Sequence, residues 1–558
     1  MSVKIWLNIA LAHSIVWLAA GNGFAQQLEN GDTKFDSYRL PKLKVGKHDW
    51  PQWGGTSLRN NAPRGRGIPI EWDTETGKNI KWSTQLGSQT FGSPIVANGR
   101  IFIGTNNGAG LIKRFPARTV DLGCLVCLDE CTGKFQWQYS VKKLETGRVQ
   151  DWPYQGLVST PVVDGERLWV VTNRGEVVCL DTLGFQDEQN DGPFTAESVR
   201  ADDEADVVWK FDMIGKLGIS PHNMCTCSCT FAGDALFVVT GNGVDESHIN
   251  LPAPTAPAFI ALNRRTGELI WKDNSPGAAV MHGSWSSPAY AVLGGRPQVL
   301  FPGGDGWLYS FDPAGDGQGG SKLLWEFDCN TKHSQYVLGG RGNRCEYITV
   351  PVIYDGKVYV AIGQDVEHGE GPGHLWCIDP TRRMDGSDIS PTRLRGRTGH
   401  ARTRREAVSG FSGELIQPNP DSAVVWDYAG QDHNTDGKLS FDERINRSCA
   451  QPAIADGLLF LSDHSGMLHC MDAATGKYHW NYDLFAATWV SAPLIVDQKV
   501  YACDEDGDVA VFELSSNRKL LAENYMGNSV YSSPCVAGNT LYVGVKNRLF
   551  AIESTDAK

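Results

Sequence analysis

The feature that most constrains the fold is a unit that recurs eight times along the 558-residue chain. Each copy begins with a short apolar strand, introduced in most copies by a small residue and a proline, and continues through a turn into a second apolar strand. Self-similarity of this kind is typical of propellers and solenoids, so chain length does not give the number of domains. The copies begin at Ser93-Pro94, Thr160-Pro161, Cys229-Thr230, Ser287-Pro288, Val350-Pro351, Gln451-Pro452, Ala492-Pro493 and Ser533-Pro534.

A second signal completes the unit. A strand ends in Asp or Asn, a Thr-Gly turn follows, and the next strand carries Trp. This gives four short strands per unit, and the last three copies repeat every 41 residues, the length of a four-stranded blade. The clearest examples are Leu128-Asp129…Thr132-Gly133…Trp137, Leu262-Asn263…Thr266-Gly267…Trp271 and Met471-Asp472…Thr475-Gly476…Trp480.

The two ends of the chain complement each other. The last unit stops near Ile552, one strand short, and the missing Thr-Gly-to-Trp strand lies near the start as Thr76-Gly77…Trp82. Closing the ring with this strand also removes the open edges of a linear array. The sequence therefore predicts an all-β fold, an eight-bladed β-propeller of four-stranded antiparallel blades, over residues 50–558.

The N-terminus predicts export. Lys4 precedes an apolar run, and Gly23-Phe24-Ala25 supplies small residues at the cleavage-determining positions, so residues 1–25 are predicted to be a signal peptide. Residues 26–49 form an N-terminal extension. We expect no transmembrane segment after signal cleavage and a periplasmic or secreted protein.

Charge and cysteine placement restrict the chemistry further. The formal net charge is −13, which argues against nucleic acid as a partner because phosphate binding needs a basic surface. An exported chain is able to form disulfides, and Cys329 and Cys345 are a candidate pair because they bracket a polar, Gly-rich stretch. Four other cysteines share one repeated position and are predicted to lie apart in the core: Cys127, Cys179, Cys377 and Cys470.

The repeats resemble the pyrroloquinoline-quinone (PQQ) repeat family. The resemblance rests on the Asp-x-x-Thr-Gly-x-x-x-Trp strand pairs and the opening motif Trp50-Pro51-Gln52-Trp53-Gly54-Gly55, and it covers residues 50 to 553. This group includes quinoprotein alcohol dehydrogenases, which bind PQQ and calcium, and the propeller of an outer-membrane assembly lipoprotein. The resemblance implies that one set of tryptophans docks each blade onto the next: Trp137, Trp209, Trp271, Trp325, Trp426 and Trp480.

Two functions are compatible with this resemblance. The dehydrogenases carry a vicinal Cys-Cys pair beside the quinone, whereas this chain has only the alternating Cys225-Thr226-Cys227-Ser228-Cys229. A Cys-x-x-Cys-His haem motif is also absent from the sequence. The favoured function is therefore a binding or scaffold propeller; the alternative is a PQQ- and calcium-dependent quinoprotein dehydrogenase that oxidises an alcohol or a sugar, with Asp305 as a guess for the proton acceptor.

Insertions beyond a minimal blade are predicted to gather on one face. Connections between the second and third strands and connections between blades leave a propeller on the same side, which we call the decorated face. Loops on a rigid scaffold commonly bind ligands, so we expect a protein, small-molecule or carbohydrate ligand there. The insertions are 105–122, 141–158, 212–226, 242–257, 272–285, 327–348, 364–374 and 427–448.

These insertions hold seven of the 13 histidines. No spacing among them matches a zinc motif, so hydrogen bonding within irregular loops is the plain interpretation. Glu367-His368-Gly369-Glu370 has a metal-like composition that Gly-rich loops also show without a metal. The histidines are His222, His248, His282, His333, His368, His374 and His433.

The insertion at 381–423 connects third and fourth strands, which places it on the opposite face. It packs eight Arg into residues 382–405 among Gly, Ser, Thr and Pro. Its composition predicts a flexible loop, and an anion or polysaccharide contact is the alternative.

The insertion at 427–448 carries the strongest ligand motif in the chain. Residues 432–443 resemble the twelve-residue EF-hand calcium loop at every ligand position, with Gly437 at the sharp turn. Strand residues precede the loop and Arg444 follows it, so we expect a lone structural calcium loop with at most a short helix after it. The predicted ligands are Asp432, Asn434, Asp436, Lys438 through its carbonyl, Ser440 and Glu443.

Overall fold

The computed structural model describes residues 43–117, 119–337, 342–365, 367, 371–395 and 415–554. Eight blades of four antiparallel strands form the ring, with one extra strand added to a single blade and one separate hairpin, and the predicted eight-bladed propeller is confirmed. The signal peptide predicted at residues 1–25 lies outside the described residues. First strands of neighbouring blades contact each other, so each blade runs from the central channel outward in chain order.

The first four blades contain sixteen strands. Blade 1 is β2 (Ile95–Ala97), β3 (Arg100–Asn106), β4 (Leu122–Asp129) and β5 (Phe135–Lys142), and blade 2 is β6 (Val162–Asp164), β7 (Arg167–Val171), β8 (Glu176–Asp181) and β9 (Val207–Asp212). Blade 3 is β10 (Thr230–Ala232), β11 (Ala235–Val239), β12 (Phe259–Asn263) and β13 (Leu269–Asp273), and blade 4 is β14 (Ala289–Leu293), β15 (Arg296–Pro302), β16 (Trp307–Phe311) and β17 (Leu323–Asp328).

The second half repeats the pattern and closes the ring. Blade 5 is β18 (Val352–Tyr354), β19 (Lys357–Ile362), β20 (His374–Ile378) and β24 (Val424–Tyr428), and blade 6 is β25 (Ala453–Ala455), β26 (Leu458–Ser462), β27 (Met467–Asp472) and β28 (Tyr478–Asp483). Blade 7 is β29 (Leu494–Val496), β30 (Lys499–Cys503), β31 (Asp508–Glu513) and β32 (Leu520–Tyr525). Blade 8 is β33 (Cys535–Ala537), β34 (Thr540–Val545) and β35 (Arg548–Ile552), completed on its outer edge by β1 (Ile80–Gln85), as predicted.

Helix is scarce among the described residues. The α-helix α1 spans Met213–Leu217, and short 3-10 turns span Gly147–Val149, Gly184–Asp187, Gly277–Ala279 and Phe441–Glu443. No helix of the described part is long and apolar enough to cross a membrane.

The repeated tryptophans dock neighbouring blades. All six are buried, and in five of them the indole N–H donates to a backbone carbonyl of the following blade, as Trp137 does to Thr182 at 3.1 Å. Trp325 differs, because its indole donates to Gln298 within its own blade at 2.8 Å. Inter-blade bonds of this kind are made by Trp137, Trp209, Trp271, Trp426 and Trp480.

In five blades the small residue before the innermost strand also has a clear function. Its hydroxyl accepts a hydrogen bond from the backbone amide at the equivalent position of the preceding blade, which produces a partial belt around the channel. A bulkier residue would separate the blades at their closest approach. The belt runs from Ala492 to Ser533 (2.9 Å), Ser93 (3.1 Å), Thr160 (3.0 Å), Ser228 (2.9 Å) and Ser287 (2.8 Å).

Residues 50–61 line the inside of the ring and pair with the innermost strand of every blade in turn. These strands are sheet edges, whose backbone groups need partners. Arg59 is fully buried in this segment and donates to the carbonyls of Pro288, Ser228 and Trp53. The pairings from blade 1 to blade 8 are Trp50–Val96, Pro51–Val163, Gln52–Thr230, Ser57–Tyr290, Leu58–Ile353, Asn60–Ile454, Asn61–Ile495 and Asn61–Pro534.

The candidate disulfide between Cys329 and Cys345 is wrong. Both residues are buried free thiols. The loop is closed instead by the Asn330 side chain, which donates to the Cys345 carbonyl at 2.9 Å and accepts from its amide at 2.7 Å. The four cysteines at the repeated position are buried free thiols, as predicted.

The described ends of the insertion at 381–423 form regular structure, where the sequence predicted a flexible loop. Strand β21 (Ser387–Asp388) adds in parallel to β17 as a fifth strand of blade 4. Strands β22 (Thr392–Arg395) and β23 (Leu415–Pro418) form a separate hairpin. The order follows from Ile389, which is fully buried in an apolar cluster beneath blades 4 and 5. Residues 396–414 lie outside the described residues.

Candidate metal centre on the decorated face

Three histidines and a glutamate converge on the decorated face. They are His222, His248, His282 and Glu367, which we call the histidine cluster, and one ligand atom of each lies within 4.8 Å of the other three. The ring centroids of His222 and His282 are 4.3 Å apart, and that of His248 is 4.5 Å from His282. Imidazole and carboxylate groups at such distances are able to share one metal ion.

Four loops supply these side chains. His222 lies between α1 and β10, and His282 lies between β13 and β14, so they hold equivalent places in consecutive inter-blade connections. His248 comes from the β11–β12 connection of blade 3, whereas Glu367 comes from the β19–β20 connection of blade 5. The cluster therefore spans blade 4.

Two glycines allow these loops to approach closely. Gly243 and Gly283 form an isolated antiparallel bridge, and the Val244 amide donates to the His282 carbonyl at 2.8 Å. A Cβ on Gly243 would lie 2.6 Å from that carbonyl oxygen, and one on Gly283 would lie 2.3 Å from the Trp285 ring. Side chains at either position would push the loops apart.

The protonation of His222 follows from its hydrogen bonds. Its Nδ1 lies 2.8 Å from the Val244 carbonyl, which only accepts, so Nδ1 carries the proton and a neutral ring presents a lone pair at Nε2. Burial, followed by the proximity of His282, lowers the pKa of His222 to about 3. The ring is therefore neutral at physiological pH, the form that binds metals.

The nitrogen Nε2 of His222 faces Nε2 of His282 at 2.7 Å. The other nitrogen of His282, Nδ1, lies 3.4 Å from Asp365 Oδ1. The lone pair on His222 Nε2 therefore faces a second imidazole nitrogen, an arrangement that suits either a hydrogen bond from His282 or a cation held by both rings.

Glu367 completes the cluster from the solvent side. Its Oε2 lies 3.5 Å from His248 Nε2 and 3.7 Å from His282 Nε2, and its Oε1 lies 3.6 Å from the Arg148 guanidinium. The backbone amide of Glu367 donates to Asp365 Oδ1 at 2.8 Å. Asp365 thus positions both His282 and Glu367.

A buried ion-pair group lies under the same loops. Asp328 pairs with Lys332 at 2.6 Å and Arg344 at 3.2 Å, and Lys332 also lies 4.1 Å above the Trp307 ring. Burial tends to raise the pKa of Asp328, but the Arg344 and Lys332 charges outweigh it and the net pKa is lowered. Asp305, nearby in sequence, is buried and accepts the Tyr309 hydroxyl at 2.6 Å.

Aromatic side chains occupy the other side of the decorated face. Phe91 and Tyr531 stack at 4.7 Å, and Trp489 meets Tyr531 edge-on at 6.2 Å. Tyr154 and Phe485 extend this group in the connections that follow blades 1 and 6, and both are exposed. We call these five residues the aromatic arc.

Comparison with known proteins identifies the family. The family model described as outer membrane protein assembly factor BamB matches residues 119–189 and 258–488, more than half of the chain. The chain belongs to the BamB family. The predicted PQQ-type repeat resemblance is thereby confirmed.

Relatives of this BamB-family chain are distant. BamB of Shewanella oneidensis is 31% identical over 75 residues, which are 13% of this chain and 19% of that relative, so the match spans about a fifth of its length. Among solved structures, BamB from Moraxella catarrhalis has 14% identity and a TM-score of 0.48, covering 85% of this chain and 99% of that one. A europium-containing methanol dehydrogenase has 12% identity and a TM-score of 0.43, covering 91% and 92% respectively.

The mouth of this BamB-family propeller does not fit the quinone arrangement that the repeat resemblance implies. The thiols of Cys225, Cys227 and Cys229 alternate along the chain and are buried, and burial raises the pKa of Cys227 to about 12. They form no adjacent pair. Asp305, the residue suggested from the sequence as proton acceptor, is buried and accepts the Tyr309 hydroxyl.

The predicted calcium loop is a closed turn on the rim of blade 5. Gly430 and Arg444 pair across its base, and the last three residues of the loop, Phe441–Glu443, form a 3-10 turn. Asp432 Oδ2 accepts the Gly437 amide at 2.8 Å, while Asp432 Oδ1 is buried without a hydrogen-bond partner among the described residues. An orphaned carboxylate oxygen inside such a loop fits a bound cation.

Glu443, the last predicted ligand, holds the loop together. It accepts from the amides of His433 (2.8 Å) and Asn434 (3.0 Å) and from both the amide and the hydroxyl of Ser440. These bonds, led by the Ser440 hydroxyl, lower the pKa of Glu443 to about 2. The side chains of Asn434 and Asp436 accept amides within the loop, from Asp436 and Lys438 respectively.

The structure separates the seven histidines that the sequence placed on this face. His222, His248 and His282 join the cluster, whereas His374 stacks on Trp376 at 4.0 Å and His433 lies against Tyr478. His333 is exposed, and His368 lies outside the described residues. The equivalent places of His222 and His282, eight and seven residues before their innermost strands, were the signal that could have identified them.

Proposed function

We propose that this chain is an exported binding propeller, acting in the periplasm or outside the cell, that holds a protein partner on the aromatic arc of its decorated face. The chain would serve as a scaffold rather than as a redox enzyme. Its rigid ring would present the arc in a fixed geometry, which lowers the ordering cost of binding.

The observation that carries this proposal is the state of Phe485 and Tyr154. Their side chains are 85% and 65% exposed, and their backbones adopt left-handed conformations with φ of 66° and 63°. Left-handed backbone is uncommon outside glycine and is concentrated at functional positions. An aromatic residue held there in solvent contributes little to folding, whereas exposed aromatic groups are enriched where proteins bind partners.

The rest of the arc extends this surface. Phe91, Trp489 and Tyr531 are half-buried and in contact, and the Trp489 indole is fixed by Glu505 at 2.6 Å. Tyr154 also borders a recess of about 420 Å³ between blades 8 and 1, lined by polar groups of Ser88 and Asn106. A row of aromatic side chains beside a polar recess suits an extended chain with alternating side chains.

The family name supports a protein partner. BamB is described as an outer membrane protein assembly factor. Strands of outer-membrane barrels alternate apolar and polar residues over about ten positions and carry aromatic residues at the membrane interface. A segment of that kind would place alternate aromatic rings against the arc.

The test is a fluorescence titration that uses Trp489 as the reporter. The probes are a ten-residue peptide of alternating aromatic and polar residues, its scrambled counterpart, and a soluble oligosaccharide. We expect saturable binding of the alternating peptide that falls at least tenfold in the double variant Phe485→Ala/Tyr154→Ala. Leu415→Ala, which truncates a 64% exposed side chain on the opposite face, is the matched control. Equal binding by all variants, or binding of the sugar alone, contradicts the proposal.

The alternative, a PQQ- and calcium-dependent dehydrogenase, has its own test. PQQ and Ca²⁺ are added to the purified protein, and quinone absorbance and alcohol- or sugar-dependent dye reduction are measured. We expect neither stoichiometric quinone nor turnover. Recovery of both would replace the scaffold function.

We also propose that residues 432–443 bind one structural Ca²⁺ ion, with Asp432, Asn434, Asp436, the Lys438 carbonyl, Ser440 and Glu443 as ligands. Calorimetry at millimolar Ca²⁺ should give heat and a thermal shift in the wild type. Asp432→Asn keeps the acceptor for Gly437 but removes the charge, and it should abolish both signals. At ten times the Kd the gain in stability is about 1.4 kcal/mol. A wild type without heat or shift would show that the loop is only a turn.

A further inference from the structure

We propose that His222, His248, His282 and Glu367 bind a single divalent transition-metal ion of the zinc class on the decorated face. The ligand atoms are three imidazole nitrogens and one carboxylate oxygen, all within 4.8 Å of one another. This inference is independent of the proposed partner binding, because it rests on a different set of loops.

The first argument concerns the hydrogen-bond partners of the two buried imidazole rings, His222 and His282. The Val244 carbonyl takes the Nδ1 proton of His222, and the Asp365 carboxylate faces Nδ1 of His282. His222 then presents the lone pair of Nε2 to the Nε2 of His282, which is 2.7 Å away. A cation shared by the two rings would replace the proton of this contact.

The second argument is the set of groups behind the ligands. Metal-binding histidines almost always donate their other nitrogen to a carbonyl or a carboxylate, which fixes the ring and raises its basicity. His222 has the Val244 carbonyl in this position, and Asp365 Oδ1 lies 3.4 Å from Nδ1 of His282. Asp365 also accepts the amide of Glu367, and its own amide donates to Glu346 at 3.1 Å.

The third argument concerns the metal. Imidazole nitrogen suits zinc, copper, iron and nickel, whereas calcium and magnesium prefer all-oxygen sites. Three histidines and one carboxylate provide a complete tetrahedral set for zinc, with metal–nitrogen bonds of about 2.0–2.1 Å. Nitrogens bound this way are about 3.3 Å apart, so His222 and His282 would separate by about 0.6 Å on loading. Trp285 packs against both rings and limits further movement.

Binding would tie loops of blades 3 and 5 together across blade 4. Glu367 lies 3.5 Å from His248 and 3.7 Å from His282, longer than metal–ligand bonds. With the ion, the β19–β20 connection that carries Glu367 would be fixed to the core of the decorated face. The structure therefore assigns a structural role to the metal, with Glu367 as the solvent-side ligand.

The experiment measures metal content and Co²⁺ spectra. Protein purified without chelator is analysed for metals, then stripped and titrated with Zn²⁺ and with Co²⁺, whose visible bands report four-coordinate nitrogen and oxygen ligands. We expect one equivalent of bound metal, a rise in Tm on loading, and tenfold or greater loss of affinity in His248→Ala and Glu367→Gln. Both variants alter partly exposed side chains, so folding should survive and is checked by circular dichroism. Exposed His333→Ala is the matched control.

Either of two results would overturn the proposal. One is a wild type that takes up no Co²⁺ at a stoichiometric level, which would mean that a shared proton bridges His222 and His282. The other is uptake that His248→Ala and Glu367→Gln leave unchanged, or that His333→Ala reduces to the same extent. Binding of Co²⁺ at the predicted Ca²⁺ loop is tested separately, because Asp432→Asn should retain the Co²⁺ spectrum of the histidine cluster.

Discussion

Two regions of the decorated face use opposite chemistry. Over blades 3 to 5, long insertions bury charged and imidazole groups: the histidine cluster above and the ion pairs of Asp328 below. Over blades 6 to 2, the connections carry the aromatic arc, with Phe485 almost fully in solvent. Buried charges need partners, so the first region is organised inward around ions. Exposed rings on left-handed backbone have no internal partner to satisfy, so the second is organised outward toward a ligand.

The largest expected effect is a loss of stability when a buried charge over blades 3 to 5 is removed. Asp328→Asn keeps the shape of the side chain but leaves Lys332 and Arg344 buried without their counter-charge, and we expect a loss of about 3–5 kcal/mol in unfolding free energy. Asp312→Asn is the control, because its pair with Arg296 at 3.5 Å is partly exposed and should contribute under about 1 kcal/mol. Denaturant unfolding at pH 7 measures both. Equal losses would mean that the buried group has no special role.

The pH dependence of this effect has a definite sign. The folded-state pKa of Asp328 is lowered. Its contribution to stability is therefore present above the unfolded value of about 3.9 and is lost as pH falls through the folded pKa. The stability gap between wild type and Asp328→Asn should close in acid.

A buried aspartate beneath the aromatic arc should behave in the opposite way. Burial, aided by the charge of Asp508, outweighs the hydrogen bonds from backbone amides of its own turn and raises the pKa of Asp504 to about 6. The folded state then holds a proton that the unfolded state releases, so the charge lowers stability above pH 6 and this cost disappears below about pH 3.9. Asp504→Asn should stabilise the protein by about 1–2 kcal/mol at pH 7.5 and not at all at pH 4. Exposed Asp202→Asn is the control, and destabilisation at pH 7.5 would show that Asp504 is charged and paired.

The smallest expected effect concerns the backbone of the arc. Phe485→Gly removes a side chain that is 85% exposed and places at φ 66° the residue that tolerates it best. Unfolding free energy should stay level or rise by up to about 1 kcal/mol, while peptide binding falls. Phe485→Ala keeps the strain and should change stability by less than about 0.5 kcal/mol. A marked loss of stability in both variants would make Phe485 a packing residue instead of a binding one.

The fold was predictable because local sequence signals mark the strand boundaries in each repeat. The Thr-Gly turns and docking tryptophans act locally or on the next blade, so counting them gave the ring and its closure by Ile80–Gln85. The calcium loop was predictable as a motif because its ligands lie within twelve residues. The histidine cluster was not, because His222, His248, His282 and Glu367 are brought together by four separate loops. Likewise, nothing in the sequence around Cys345 shows that Asn330 closes the loop in place of a disulfide.

The account depends most on the claim that the inward region is built around a metal ion. A crystal structure of protein loaded with one equivalent of Zn²⁺, with anomalous data collected on both sides of the zinc edge, tests it directly. We predict one anomalous peak among the Nε2 atoms of His222, His248 and His282 and the carboxylate of Glu367, and none on the aromatic arc. Absence of the peak, with His222 and His282 still in hydrogen-bond contact, would contradict the account.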